Sequence, residues 1–316
     1  MNYTEGSEYK MSEISKRGRI IKKIVERMNN SEHFLDIYKA ELYDRDDMDI
    51  PYRYPNHLSV KMIELKNFKM ELLTSSLCEL NSQYVILHIH GGGYISAMRT
   101  QYKKLAGFYS EVSGGASVLT IDYRVAPKDP YPAALEDALA SYDWLINNGY
   151  SEEKIILAGD SAGAGLAMAL CYKLKELGRK LPAGIVAMSP WADLTASGPS
   201  YKENKDIDPV FGGERAEMIY ESPYIGEANP KDPTISPIYG DFKDFPPMLI
   251  QCGTDEMLKS DSDTVAKKAK EAGVLVRYTV YEGMFHVFQM AGTYMDESKR
   301  AWSEVGAFMK HIITKP

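Results

Sequence analysis

Short apolar runs alternate with longer amphipathic stretches over most of the chain. Six runs have the nearly all-apolar character of strands buried in a parallel sheet, and they occupy 84–90, 117–123, 154–159, 185–189, 248–252 and 276–281. Helical patterns lie between them at 101–112, 133–148, 162–178, 257–272 and 297–313. Strand followed by helix, repeated along the chain, predicts an α/β protein with a doubly wound, mostly parallel central sheet flanked by helices.

Two parts of the chain depart from this alternation. Residues 1–55 are polar, with apolar positions that predict one amphipathic helix ending near Asn29 and Asn30 and a second at 32–42. The segment 193–247 is rich in Pro, Gly and Tyr, with one helical pattern near 213–221, and an insertion of this size is typical of a lid. We therefore expect a catalytic domain over 56–316, with further strands at 58–64 and 67–73, capped by 1–55 and by 193–247.

The composition narrows the class of protein. The chain has 316 residues, 44% of them hydrophobic and 26% charged, with a net charge of −7. This charge gives no indication of binding to a nucleic-acid backbone or to an anionic membrane. No apolar run reaches the roughly 18 residues that a membrane helix needs. The first residues lack the apolar core of a signal peptide, and Cys78, Cys171 and Cys252 form no C-x-x-C pair. We expect a cytoplasmic protein without a metal or a cofactor.

A Gly-Asp-Ser-Ala-Gly sequence at 159–163 follows a predicted strand and begins a predicted helix. This is the context that the G-x-S-x-G nucleophile elbow requires. Its glycines permit a turn so sharp that side chains beside the serine would collide, and the helix N-terminus directs amide dipoles at the reacting oxygen. A bare G-x-S-x-G also arises by chance, so the flanking strand and helix support the interpretation of Ser161 as a nucleophile.

A second glycine cluster, His90-Gly91-Gly92-Gly93, follows another predicted strand. A serine hydrolase must stabilise an oxyanion, and a run of glycines lets backbone N–H groups approach that oxygen closely. The same pattern is the oxyanion loop of lipases and esterases. The alternative is an ordinary glycine-rich turn.

The general base and the acid can be sought by their order along the chain, since this fold presents Ser, then acid, then His. His286 and His311 both follow the last candidate strand that carries an acid; His311 lies in a predicted amphipathic helix, so His286 is the candidate base. His88 and His90 precede the serine and are expected to be structural. Asp255 and Glu256 both stand at the carboxyl end of a predicted strand, and either would orient the imidazole.

These residues resemble the hormone-sensitive-lipase-like family of bacterial carboxylesterases in the α/β-hydrolase superfamily. The likeness runs from about 84 to 290 and is carried by ordered blocks: HGGG (90–93), YRVAP (123–127), YPAALED (131–137), GDSAG (159–163), SPWADL (189–194), SPIYGDF (236–242) and HVF (286–288). The resemblance implies an oxyanion hole from the amides of Gly92, Gly93 and Ala162, and acylation of Ser161 with help from His286.

The resemblance also bears on the acid, because the family carries an Asp after this strand. Counting forward from Pro246-Pro247 and backward from 272–274 puts the family's Asp at Glu256, which favours Glu256 over Asp255. The expected function is that of a serine carboxylesterase for short acyl esters, working through an acyl-enzyme. The alternatives are a deacetylase for carbohydrate or amide substrates that uses the same triad, and a protein of this fold that binds a small ligand without turnover.

Two further expectations concern surfaces. Four aromatic residues of the lid segments either line an apolar substrate pocket or pack the lid on the body: Phe34, Tyr38, Tyr220 and Tyr224. The predicted strand 276–281 is a candidate exposed edge that would pair with a second copy in a homodimer.

Overall fold

The computed structural model describes residues 8–11, 14–30, 52–77 and 83–314. Within these residues a nine-stranded sheet forms the centre of the molecule. Its strands are β1 (Glu8–Met11), β2 (Leu58–Glu64), β3 (Lys69–Ser75), β4 (Val85–Ile89), β5 (Ser117–Asp122), β6 (Ile155–Asp160), β7 (Gly184–Met188), β8 (Met248–Gly253) and β9 (Val276–Tyr281). All six strands predicted from apolar runs are present, as are the two predicted before them.

The helices also follow the predicted order. They are α1 (Lys16–Asn29), α2 (Thr100–Val112), α3 (Ala133–Asn147), α4 (Ala162–Glu176), α5 (Ser200–Glu203), α6 (Glu217–Tyr220), α7 (Lys259–Glu271) and α8 (Asp296–Thr314). Four 3₁₀ segments also occur in the described residues, at Glu152–Lys154, Gly213–Ala216, Pro237–Tyr239 and Phe288–Tyr294. Gly213–Ala216 directly precedes α6 in the helical region predicted near 213–221. The short α5 was not predicted, and the helix expected at 32–42 lies outside the described residues.

The strand order explains where a site can form. The sheet runs β1-β9-β8-β7-β6-β4-β5-β3-β2, and only the β2–β3 and β3–β5 pairs are antiparallel. The chain passes from β4 to β5 on one side and then returns to place β6 on the other side of β4. Ligands bind at such a reversal in open α/β sheets, beyond the carboxyl ends of the strands. The glycine motif at 90–93 follows β4, and the one at 159–163 spans the end of β6, so both lie at this reversal.

Buried strands supply apolar side chains to both faces of the sheet. In β4, Leu87 and Ile89 join the core that α3, α4 and α7 cover, whereas Ile86 joins the core beneath α2 and α8. All five β4 residues are buried. This two-sided burial accounts for the uninterrupted apolar runs in the sequence, since a strand with one solvated face would alternate.

The N-terminal segment differs from the expectation of an all-helical cap. Helix α1 is confirmed, but β1 precedes it and pairs in parallel with β9, with Glu8 opposite Tyr278. The strand 276–281 is therefore not an edge of the sheet, and the expectation of an exposed edge there was wrong. The sequence gives no sign of β1 because a four-residue strand, EYKM, is too short for a periodic pattern, as edge strands often are.

Candidate active site

The turn between β6 and α4 presents Ser161 in a strained conformation. Ser161 has φ 53° and ψ −124°, a backbone region that non-glycine residues rarely adopt and that is concentrated at functional sites. Gly163 makes this turn possible, because a Cβ there would collide with the carbonyl oxygens of Ile89 and His90 at the end of β4. The strand, elbow and helix thus stand in the order predicted from the sequence.

The loop after β4 lies beside this turn. Gly92 has φ 102° and Gly93 has φ 64°, and both conformations favour glycine. Gly92, Gly93 and Ser161 line one cavity. Ala162 is the first residue of α4, so its N–H has no acceptor within the helix. Amides at these three positions suit the stabilisation of an oxyanion at Ser161.

Aromatic packing holds the glycine loop in place. The ring of His90 stacks on Tyr123 with centroids 4.3 Å apart and lies 4.9 Å from Tyr102. The Tyr123 hydroxyl donates to the His90 carbonyl over 2.8 Å. His88 is fully buried, and burial lowers its pKa to about 3, so it stays neutral. His88 and His90 are therefore packed inside the protein rather than presented to the cavity.

His286 and Glu256 meet on the other side of Ser161. His286 Nδ1 lies 3.2 Å from Glu256 Oε2, and His286 lines the same cavity as Ser161. An ionised carboxylate only accepts hydrogen bonds, so Nδ1 carries the imidazole proton and Nε2 is left as a proton acceptor. Glu256 is fully buried, and its Oε1 accepts from Ser189 Oγ at 2.8 Å and from the Gly253 N–H.

The neighbouring carboxylate points elsewhere. Asp255 forms an ion pair with Lys22 of α1, and its other oxygen accepts from Thr254 Oγ1 at 2.7 Å. The structure therefore brings Glu256, and not Asp255, to His286. His311 lies in α8 and does not line the cavity.

Ser189 is a site residue that the sequence reasoning did not identify. Its hydroxyl donates to Glu256 and accepts from the Val287 N–H at 3.1 Å, which links the acid to the loop that carries His286. Ser189 itself has φ 47°, at the end of β7. The only sequence signal was its position at the start of the SPWADL block.

The insertion also contacts the turn that carries Glu256. Asn204 Nδ2 donates to the carbonyl of Thr254 at 2.9 Å and to that of Glu256 at 2.8 Å. Asp208, four residues further on, accepts from the Met257 N–H at 2.7 Å. Three hydrogen bonds from two side chains thus hold the acid-bearing turn on both sides of Glu256. The sequence offered one hint, since Asp-Pro at 208–209 is typical of a turn.

The same Asp208 shapes the wall of the cavity. Its Oδ1 accepts from the N–H groups of Val210 and Phe211 at 2.7 and 3.1 Å, and both side chains line the cavity. The Phe211 ring lies 4.6 Å from the His286 ring, centroid to centroid. Burial raises the pKa of Asp208, although these N–H donors and the charge of His286 act in the opposite direction.

The cavity has a volume of about 470 Å³ and mostly apolar walls. They are formed by Ile21, Val25, Gly92, Gly93, Ser96, Gln101, Tyr102, Asp160, Ser161, Val210, Phe211, Phe285, His286, Val287, Met290 and Ala291. Tyr224 is instead buried and stacks on Tyr94 with ring centroids 3.9 Å apart, and Tyr220 donates its hydroxyl to the Tyr201 carbonyl. Of the two alternatives for the lid aromatics, packing of the lid on the body is correct for Tyr224. Tyr220 is 40% exposed, bonds within the insertion and does not line the cavity. Phe34 and Tyr38 lie outside the described residues.

Asp160, which precedes Ser161, is a buried acid on the wall of the cavity. Burial raises its pKa to about 7 from an ordinary 3.8, while the charge of His286 and a hydrogen bond from the Gly91 backbone oppose the shift. Its Oδ1 has no hydrogen-bond partner in the described part of the chain. Asp160 thus gives up its proton only near neutral pH.

Within the described residues, no group of three His, Cys, Asp or Glu side chains is placed to hold a metal ion. No helix among these residues has the length and apolar character to span a bilayer.

A family model described as the alpha/beta hydrolase fold matches residues 86–290. An acetyl-hydrolase of Streptomyces hygroscopicus is 36% identical over 225 residues, covering 71% of this chain and 75% of that protein. An esterase of Acinetobacter venetianus is 32% identical over 231 residues, covering 73% of this chain and 76% of that protein. A crystal structure of an esterase from the bacterial hormone-sensitive lipase family superposes with a TM-score of 0.83 at 30% identity, covering 96% of this chain and 100% of that one.

The chain therefore belongs to the α/β-hydrolase fold family. Within that family it is a serine carboxylesterase of the hormone-sensitive-lipase-like group, and the resemblance inferred from its motifs is confirmed.

The two adjacent carboxylates give a direct test of the acid. Glu256→Gln removes the acceptor that orients Nδ1–H of His286, so we expect kcat/KM for an ester to fall by about 10³–10⁴-fold. Asp255→Asn is the matched control, and we expect it to retain activity within about tenfold, because Asp255 pairs with Lys22 instead. Steady-state kinetics on one soluble ester measures both. A large loss in Asp255→Asn with a small loss in Glu256→Gln would reverse the assignment.

The raised pKa of Asp160 predicts that the free energy of unfolding depends on pH. Because its pKa is raised to about 7 in the folded protein, ionisation disfavours the fold, and stability present near pH 4 is lost as the pH rises through 7. Asp160→Asn cannot ionise, so the variant should gain about 2–4 kcal/mol relative to the parent between pH 4 and 8. Urea unfolding of both proteins across that range measures the difference. A constant difference at every pH would contradict the shifted pKa.

Proposed function

We propose that the chain hydrolyses short-chain acyl esters, with Ser161 as nucleophile, His286 as general base and acid, and Glu256 as the carboxylate that orients His286. The amides of Gly92, Gly93 and Ala162 form the oxyanion hole. The observation that carries the proposal is the Glu256–His286 contact, 3.2 Å long, beside a cavity that also holds Ser161.

The reaction follows from the protonation states. Glu256 holds the imidazole with its proton on Nδ1, so Nε2 takes the hydroxyl proton while Ser161 Oγ attacks the ester carbonyl. Negative charge then develops on the carbonyl oxygen, where the three amides stabilise it. The imidazolium gives its proton to the leaving alcohol and leaves an acyl group on Ser161. Water, activated by Nε2, releases the acid by the same steps and restores the enzyme.

The walls of the cavity favour a substrate with an apolar acyl group. Ile21 and Val25 come from α1, whereas Val210 and Phe211 come from the insertion, so we propose that 1–55 and 193–247 together cap the catalytic domain. A cavity of about 470 Å³ with such walls suits a small acyl chain. The relative from Streptomyces hygroscopicus is named an acetyl-hydrolase, which also favours a short acyl group.

Two expectations remain predictions: that the protein is cytoplasmic and that it forms a homodimer. Cys171 and Cys252 are buried free thiols, which is compatible with a reducing compartment. Any dimer that adds a strand at the β9 side of the sheet would have to pair with β1.

A series of p-nitrophenyl esters from acetyl to decanoyl tests the proposal. We expect kcat/KM to be greatest between acetyl and roughly hexanoyl and to fall for longer chains, because the capped cavity limits the length of the acyl group. Ser161→Ala should abolish turnover above the buffer rate while leaving the thermal unfolding temperature within a few degrees of that of the parent.

Two results would overturn the assignment of Ser161 or of the short acyl group. Turnover by Ser161→Ala at the parental rate would remove Ser161 as nucleophile. A maximum at decanoyl would remove the short-chain preference while leaving the esterase chemistry in place.

A further inference from the structure

Helix α1 has a charge unlike that of the protein around it. Its 14 residues contain six basic side chains and the single acidic Glu26, although the whole chain carries a net charge of −7. Lys22 turns towards the body and pairs with Asp255. The other five basic side chains are exposed: Lys16, Arg17, Arg19, Lys23 and Arg27.

The same helix exposes an apolar stripe. Ile20, Ile24 and Met28 are 50%, 49% and 58% exposed, and their four-residue spacing puts them on one side of the helix. Ile21 and Val25 lie on the neighbouring side and line the active-site cavity. A surface helix ordinarily buries one apolar stripe and solvates the rest. Helix α1 thus turns one apolar stripe, Ile21 and Val25, towards the cavity and exposes a second, Ile20, Ile24 and Met28, to solvent.

The exposed stripe continues onto the body of the protein. Ile20, Arg17 and Tyr294 line one shallow groove together with Ala291. Tyr294 is 78% exposed and Met290, which also lines the active-site cavity, is 36% exposed. We name the α1 face as the surface formed by Ile20, Ile24, Met28, Met290 and Tyr294. Exposed apolar residues gathered in this way mark a site of interaction, unlike single ones scattered over a surface.

We propose that the α1 face binds an anionic lipid surface. An interfacial helix has this construction, with apolar side chains entering the acyl boundary and basic side chains contacting phosphate headgroups. A tyrosine such as Tyr294 is also favoured at the boundary between lipid and water. Because the chain as a whole is acidic, the remainder of its surface is repelled by anionic lipid, and α1 turns towards it.

Charge argues against a second copy of the chain as the occupant. A two-fold dimer through the α1 face would bring the exposed basic residues of both helices into one interface, and like charges close together are unfavourable. Anionic headgroups instead supply the opposite charge. In the lipid-bound state the cavity lined by Met290 lies beside the membrane, so esters dissolved in the bilayer are near Ser161. The binding itself does not rest on the proposed ester hydrolysis.

Sedimentation of the full chain with vesicles tests the proposal. We expect binding to vesicles of equal phosphatidylglycerol and phosphatidylcholine, weak binding to pure phosphatidylcholine, and release as salt is raised. The variant Ile20→Glu/Ile24→Glu removes the apolar stripe, and Arg17→Gln/Lys23→Gln/Arg27→Gln removes the charge. Each should weaken binding to the anionic vesicles by about tenfold or more.

The matched control is Val60→Glu/Met62→Glu. These residues are 41% and 51% exposed on β2, at the opposite edge of the sheet from β1, so the control should bind as the parent does. Turnover of p-nitrophenyl acetate and thermal unfolding report whether each variant is folded, and we expect all three variants to stay within about twofold of the parental turnover.

Three results would overturn the proposal. The first is no sedimentation of the parent with anionic vesicles, or equal sedimentation with pure phosphatidylcholine. The second is parental binding by both the apolar and the charge variant. The third is a doubled mass by light scattering that Ile20→Glu/Ile24→Glu abolishes, without vesicle binding, which would assign the α1 face to a second copy.

Discussion

The arrangement of the site depends on one buried carboxylate. Glu256 is removed from solvent, and a buried charge is tolerated only when hydrogen-bond donors surround it. Its donors come from three places: Ser189 at the end of β7, Gly253 in β8 and His286 in the loop after β9. The hydrogen bonds to Glu256 therefore fix three neighbouring strand ends relative to one another. One of these bonds also orients the imidazole of His286.

The insertion and α1 are attached to the same turn. Asn204 and Asp208 of the insertion hydrogen-bond to the backbone on both sides of Glu256, and Lys22 of α1 pairs with the adjacent Asp255. The segments that supply the apolar walls are thus joined to the segment that carries Glu256. A displacement of the insertion at Asp208 would move Phe211 against His286, so the cavity and the proposed triad are connected through this segment.

Most of the sheet and the positions of the two glycine motifs could be predicted, because buried parallel strands are continuously apolar and the elbow needs glycine at fixed places. The choice between Asp255 and Glu256 could not be made from the residues alone, since both follow β8 and only the turn decides which points at His286. Strand β1 carries too few residues for a pattern. The contacts of the lid tyrosines could not be predicted either: Tyr224 stacks on Tyr94, which is distant in the sequence, and Tyr220 bonds to the Tyr201 carbonyl of the same insertion.

The proposed triad requires that Glu256 holds a proton on Nδ1 of His286. Proton NMR in water detects this proton, because a ring N–H bound to a buried carboxylate resonates far downfield of the backbone amides. We expect such a signal in the parent and in Asp255→Asn, and its loss in His286→Ala and in Glu256→Gln. A signal that survives Glu256→Gln and disappears in Asp255→Asn would assign the acid to Asp255 instead.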